Sequence, residues 1–234
     1  LVKGYGGGII GFSNQATAGE ASFTVRTGAA SPPSENSTVG AEVSFSDNSN
    51  AGCARFMIYG TLGEDGDTFG NTAFHDNASA SQGVFTNIGG TVHKGDGGNT
   101  QFYDNSSAAN GVFNNYGGNV AESNGGDVAF DGVANGGNAH FYNRVAEAEG
   151  AYGGVTSFNN NPPNVESAGA SAGHALLHNY GAIKAGQGGG GHTEFTAKYG
   201  CPTAGNAHIF NYGSTISSKS SAGHTIFSIS LPTN

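Results

Sequence analysis

Apolar and polar residues alternate along this chain in short bursts, and the bursts recur. The phrase Gly-x-Thr/Val-x-Phe sets a first column at Phe12, Phe45, Phe74, Phe102, Phe130, Phe158, Phe195 and Phe227, with spacings of 33, 29, 28, 28, 28, 37 and 32 residues. A second column, Ala/Gly-x-Phe-x-Asn, holds Phe23, Phe56, Phe85, Phe113 and Phe141 and continues as Leu177 and Ile209. It trails the first by 11 residues five times, then by 19 and 14. Thirteen of the 15 phenylalanines therefore share one register, the signature of a tandem repeat.

The stretch from Gly98 to Gly125 shows the unit. Asn99-Thr100-Gln101-Phe102 alternates at period two, as a half-buried strand does. Asp104-Asn105-Ser106 predicts a turn, because short polar side chains bond their own backbone there. Gly111 to Asn115 predicts a second strand, Tyr116-Gly117-Gly118 a turn, and Asn119-Val120-Ala121 a short third strand closed by Ser123 to Gly126. Three short strands in so few residues predict one coil of a solenoid, since a propeller blade needs about 40–45 residues.

The expected fold is all-β, a parallel β-helix of about eight coils of about 28 residues in a single domain over residues 1–234. Its hand is expected to be right, by the usual crossover preference. Coils stacked at ~4.8 Å would give a rod of roughly 35–40 Å. Departures from the regular spacing place loop insertions near 29–38, 160–171 and 197–205, around Pro32-Pro33, Pro162-Pro163 and Cys201-Pro202. Proline cannot donate to a central ladder, so these segments are expected to leave the stack.

Composition narrows the classes. Glycine is 42 of 234 residues, and charged residues are 11% of the chain, against about 25% in an ordinary soluble domain. So much glycine excludes a helical bundle, at about 1 kcal/mol per interior helix position. The net charge is −9 and the eight Lys and Arg are scattered singly, which argues against a phosphate-facing nucleic-acid surface. No apolar run approaches the ~18 residues of a spanning helix, so no membrane insertion is expected. Leu1 without an initiator methionine or a signal-like start reads as a processed or excised piece.

With these residues in view, the chain resembles the glycine- and asparagine-rich repeats of large secreted bacterial proteins, the autotransporter-like passengers and filamentous adhesins. The runs Gly98 to Gly118 and Thr203 to Gly213 carry the likeness. The resemblance implies an extracellular or cell-surface β-helical stalk or fibre, and no chemistry.

Candidate chemistry follows the columns. Asp47, Asp76 and Asp104 each stand two residues after a column phenylalanine. One expectation is a turn ladder, each carboxylate accepting backbone N–H groups. Calcium shared between coils is a second, and a glycosidase-like acid pair on neighbouring coils a third. Asp65 and Asp67, in the dense turn Glu64 to Asp67, are further calcium candidates without EF-hand spacing. No other cofactor is expected. Asn87, Asn115, Asn143, Asn179 and Asn211 follow the second column by two and would point inward as an amide ladder. Tyr59, Tyr116, Tyr180 and Tyr212 come next and would face outward, to stack on surface carbohydrate or on a neighbouring rod. Cys53 and Cys201 lie about five coils apart, or ~24 Å at the strand spacing, beyond the ~7 Å reach of a disulfide. No Gly-x-Ser-x-Gly elbow is present. The first functional expectation is a structural or adhesive solenoid that stacks end to end with itself. The alternative is a polysaccharide-cleaving β-helix enzyme built on stacked Asp residues.

Overall fold

Residues 7–27, 40–62, 69–160, 168–197, 201–216 and 221–229 are described by a computed structural model of the chain. Period-two alternation and recurring phenylalanines produce two parallel sheets. The first has eight strands in the order β1 (Ile9–Phe12), β3 (Glu42–Phe45), β5 (Asn71–Phe74), β7 (Asn99–Phe102), β9 (Asp127–Phe130), β11 (Val155–Asn160), β14 (His192–Ala197) and β17 (His224–Ile229). The second has seven: β2 (Ser22–Val25), β4 (Arg55–Ile58), β6 (Val84–Asn87), β8 (Val112–Asn115), β10 (His140–Asn143), β13 (Leu176–Asn179) and β16 (His208–Asn211). Each pair is parallel, and each column residue faces its counterpart one coil away, as Phe74 faces Phe102 and Phe102 faces Phe130. The chain is an all-β parallel solenoid.

The two columns form the core. Within a column the rings lie nearly parallel with centroids 4.6–5.0 Å apart. Across the coil they meet edge to face at 5.8–6.1 Å, as Phe102 meets Phe113. Phe45, Phe74, Phe102, Phe130, Phe158, Phe56, Phe85, Phe113 and Phe141 are all buried. No coil could cover its own ring, so burial depends on neighbours above and below.

Beside the rings runs the amide ladder. Asn87 donates to Asn115, Asn115 to Asn143, Asn143 to Asn179 and Asn179 to Asn211, at 2.8–2.9 Å. A carboxamide both donates and accepts, so one residue type can repeat this bond through the stack. Threonines of the first sheet close the network: Thr100, Thr156 and Thr193 donate to Asn87, Asn143 and Asn179 at 2.9–3.0 Å.

The coil has two full strands, and its third ladder lies elsewhere than the alternation predicts. Asn119–Ala121 is a bend and turn rather than a strand. The third ladder is a single residue at the corner between the two strands, running through Thr17, Asn50, Ser79, Ser107, Asn135 and Ser171. It is set between two corners of positive φ. On one side stand Asn14, Asp47, Asp76, Asp104 and Gly132; on the other Gly19, Gly52, Ser81, Ala109, Gly137, Gly173 and Gly205. The side segment carrying Asn119–Ala121 is pinched off at its base, where Gly126 N–H donates to Tyr116 O at 2.7 Å. A Cβ on Gly126 would run into the Asn87 carbonyl, and one on Gly154 into that of Asn115. Glycine is required at this waist for close approach.

Two expected loop insertions also return to the stack. β12 (Ala168–Ser171) lies within 160–171 and β15 (Cys201–Thr203) within 197–205, and the two pair in parallel as an extension of the corner ladder. Backbone pairing recovers hydrogen bonds that a free loop would leave to water. The insertion near 29–38 lies outside the described residues.

Candidate functional site

The outer face of the first sheet carries a polar groove of about 440 Å³. Alternation builds its floor. In β7, Thr100 and Phe102 point into the core, which turns Asn99 outward. The same register turns out Asp127 on β9, Ser157 and Asn159 on β11, and His192 and Glu194 on β14. The side segments form the wall through Asp96-Gly97, Asn124-Gly125 and Tyr152-Gly153, with Phe69 at one end. Asn124 donates to Asp96 within that wall.

The electrostatics of the floor separate two acids. Asp127 is raised from 3.8 to about 7, chiefly by burial, with Glu194 and Asp131 adding to the rise while His192 and the Val128 N–H oppose it. Glu194 is lowered, first by its hydrogen bond with His192, whose Nε2 lies 3.2 Å from the carboxylate. Asp127 Oδ1, Asn99 Oδ1 and His192 Nδ1 are shut off from solvent without a hydrogen-bond partner. Such orphaned atoms cost about 1–3 kcal/mol each unless a ligand meets them. The sequence reading missed Asp127, Asn99 and Glu194. Their signal was positional, three and one residues before a column phenylalanine on the outward phase.

The residues singled out from the sequence fall elsewhere. Asp47, Asp76 and Asp104 form one column at the strand end, with φ of 55–57°. Each carboxylate accepts the backbone N–H of its counterpart one coil earlier: Asp47 from Asn14, Asp76 from Asp47, Asp104 from Asp76, at 2.8–3.1 Å. The turn ladder therefore runs between coils rather than within each turn. Among the described residues, no three His, Cys, Asp or Glu side chains gather as a metal site. Asp65 and Asp67 lie outside the described residues.

Tyr59, Tyr116, Tyr180 and Tyr212 share one position after the second sheet, but their stripe is interrupted by Ile88 and Arg144. Arg144 lies over Tyr180 at 4.7 Å, Arg26 over Tyr59 at 4.5 Å, and Tyr180 stacks on Tyr212 at 4.8 Å. Tyr116 and Tyr212 are exposed, and a second hollow of about 650 Å³ opens there beside Lys184 and Ile183. Cys53 and Cys201 are both free and exposed.

Compared with known proteins, the chain matches no family model, no curated sequence and no solved structure.

Proposed function

We propose that this solenoid is an extracellular stalk- or fibre-forming element of adhesive type, in which copies stack end to end. One observation carries this reading: the two end faces are apolar and in the same register. At one end β1 exposes Ile9 at 75% and Ile10 at 47%, and at the other β17 exposes Phe227 at 64%. Each strand has a partner on one side only among the described residues, and an unpaired edge is a template for another strand. Ile9–Phe12 and His224–Phe227 hold equivalent positions in every intervening pairing. Docking β17 of one copy on β1 of the next would continue the phenylalanine column and the first sheet. Such a contact is head to tail, does not close, and produces a filament.

Low charge and the likeness to secreted repeat proteins support an extracellular setting, and no catalysis or cofactor is required by this reading. A polysaccharide-cleaving reading is favoured by one feature, the separation of Asp127 from Glu194 in protonation. It would have to use those two acids, because the stacked Asp47, Asp76 and Asp104 are committed to backbone N–H groups.

Electron microscopy and sedimentation of the 234-residue chain test the proposal. Uniform fibres are expected, dispersed by Ile10→Lys at the open end. A wild-type chain that stays a monodisperse monomer at high concentration would refute stacking.

A further inference from the structure

We infer that the groove over the first sheet is a binding site for a linear, uncharged glycan, with Tyr152 as its aromatic platform and Asn99 and Asp127 as its hydroxyl acceptors. The inference stands apart from end-to-end stacking, since the groove lies on the side of the rod and not on its end faces.

Shape is the first argument. The cavity holds about 440 Å³, within the range of roughly 300–1,000 Å³ usual for small-ligand sites. It follows the rod axis from β7 through β9 and β11 to β14. Three interstrand steps of ~4.8 Å make a trough of about 14 Å, which suits an extended chain better than a compact metabolite.

Chemistry is the second. Asn99 and Asp127 line the trough, and each has one buried oxygen, Oδ1, without a hydrogen-bond partner. Their natural partner is a ligand rich in O–H or N–H donors. Tyr152, 57% exposed at the wall, and Phe69 at the end offer aromatic rings beside those acceptors. A sugar ring presents both surfaces needed, an apolar C–H face for an aromatic ring and hydroxyl protons at its rim.

Charge narrows the class. Asp96 and Glu194 line the trough and His192 is already engaged with Glu194, so a uronic or sulfated chain would meet like charge. A bare divalent cation fits the trough poorly, since the carboxylates do not converge as a ligand set among the described residues.

Calorimetric titration with the hexasaccharides of β-1,4-glucose, α-1,4-glucose, β-1,4-mannose and β-1,4-xylose tests the site, with hexagalacturonate and calcium chloride as separate titrants. At least one neutral hexasaccharide is expected to bind with a Kd below about 1 mM. Tyr152→Ala and Asp127→Ala, which removes the acceptor, should each weaken that binding by tenfold or more, while Thr86→Ala on the opposite sheet leaves it unchanged. Thermal melts by circular dichroism confirm that the variants fold, and Tyr152 on the surface can be truncated without opening the core. The inference is overturned if none of the four neutral chains binds, if binding survives both groove variants, if hexagalacturonate binds more tightly than every neutral chain, or if calcium alone gives a response that Asp127→Ala abolishes.

Discussion

At the scale of single residues, one buried hydroxyl shows how closely each coil depends on the one before it. Thr100, Thr156 and Thr193 each donate to a column asparagine. Thr72 holds the same position in the first sheet, but its Oγ1 is buried without a partner. The cause is Ile58, which occupies the column where later coils carry Asn87 and Asn115. Val43 and Val128 fill neighbouring places in the threonine column and are buried, so valine fits there. Thr72→Val is therefore expected to raise stability by about 1 kcal/mol, whereas Thr100→Val should lower it by about 1–2 kcal/mol by stranding Asn87. Denaturant unfolding of both variants is the measurement. A loss of stability in Thr72→Val would mean that its hydroxyl is satisfied after all.

At the scale of the strand, the stacked columns and the amide ladder do the holding, and place along the stack decides what each member contributes. Phe102 has rings above, below and across from it, and its truncation to alanine should cost about 3–5 kcal/mol. Phe227 belongs to the same column but lies on an end strand, 64% exposed. Its truncation in the unassembled chain should cost under about 1 kcal/mol. Asn115→Ala removes the bonds to Asn143 and to the Val155 carbonyl and leaves Asn87 without its acceptor; a loss of about 2–4 kcal/mol is expected. Equal effects at Phe102 and Phe227 would contradict a core whose burial comes from neighbouring coils. These strands were legible in the sequence because Phe102, Phe113 and Asn115 return in step and each points to one face of a period-two strand. The predicted strand at Asn119–Ala121 shows the limit of that reasoning. Its short alternation looks like a strand, but the glycine waist at Gly117-Gly118 and Gly125-Gly126 carries the segment off the coil.

For the whole molecule, the two acids of the groove set opposite trends with pH. Asp127 is held at about 7, above its ordinary 3.8, so the fold favours the protonated acid. Its stabilising contribution is complete below about pH 4 and is lost as the pH rises through 7. Glu194 is lowered by its bond with His192; its contribution is present above the ordinary carboxylate range and is lost only on acidification through its folded value. Between about pH 5 and 8 the Asp127 effect governs. A shift of about three units is worth at most ~4 kcal/mol, and solvent reaching the partly exposed side chain reduces that, so a fall of about 1–2 kcal/mol is expected. The difference in unfolding free energy between wild type and Asp127→Asn, followed across this window, isolates the effect. A difference that does not change with pH would show that Asp127 ionises freely in the groove.

The sequence by itself determined the repeat, the two phenylalanine columns and the asparagine ladder, because each needs only that the same residue type return at the same phase of a strand. It also determined the stacking of Asp47, Asp76 and Asp104, since equal offsets from equal columns must superpose. Tertiary structure decided what those positions become. The carboxylates of Asp47, Asp76 and Asp104 reach the N–H of the coil before, a contact that depends on positive φ at the corner. The groove depends still more on three dimensions. Asn99, Asp127 and Glu194 come from three coils, an insertion shifts the spacing between the last two, and the wall that buries them is the side segment that pattern alone misassigned. Burial and mutual field, which separate Asp127 from Glu194, arise only when those coils are stacked.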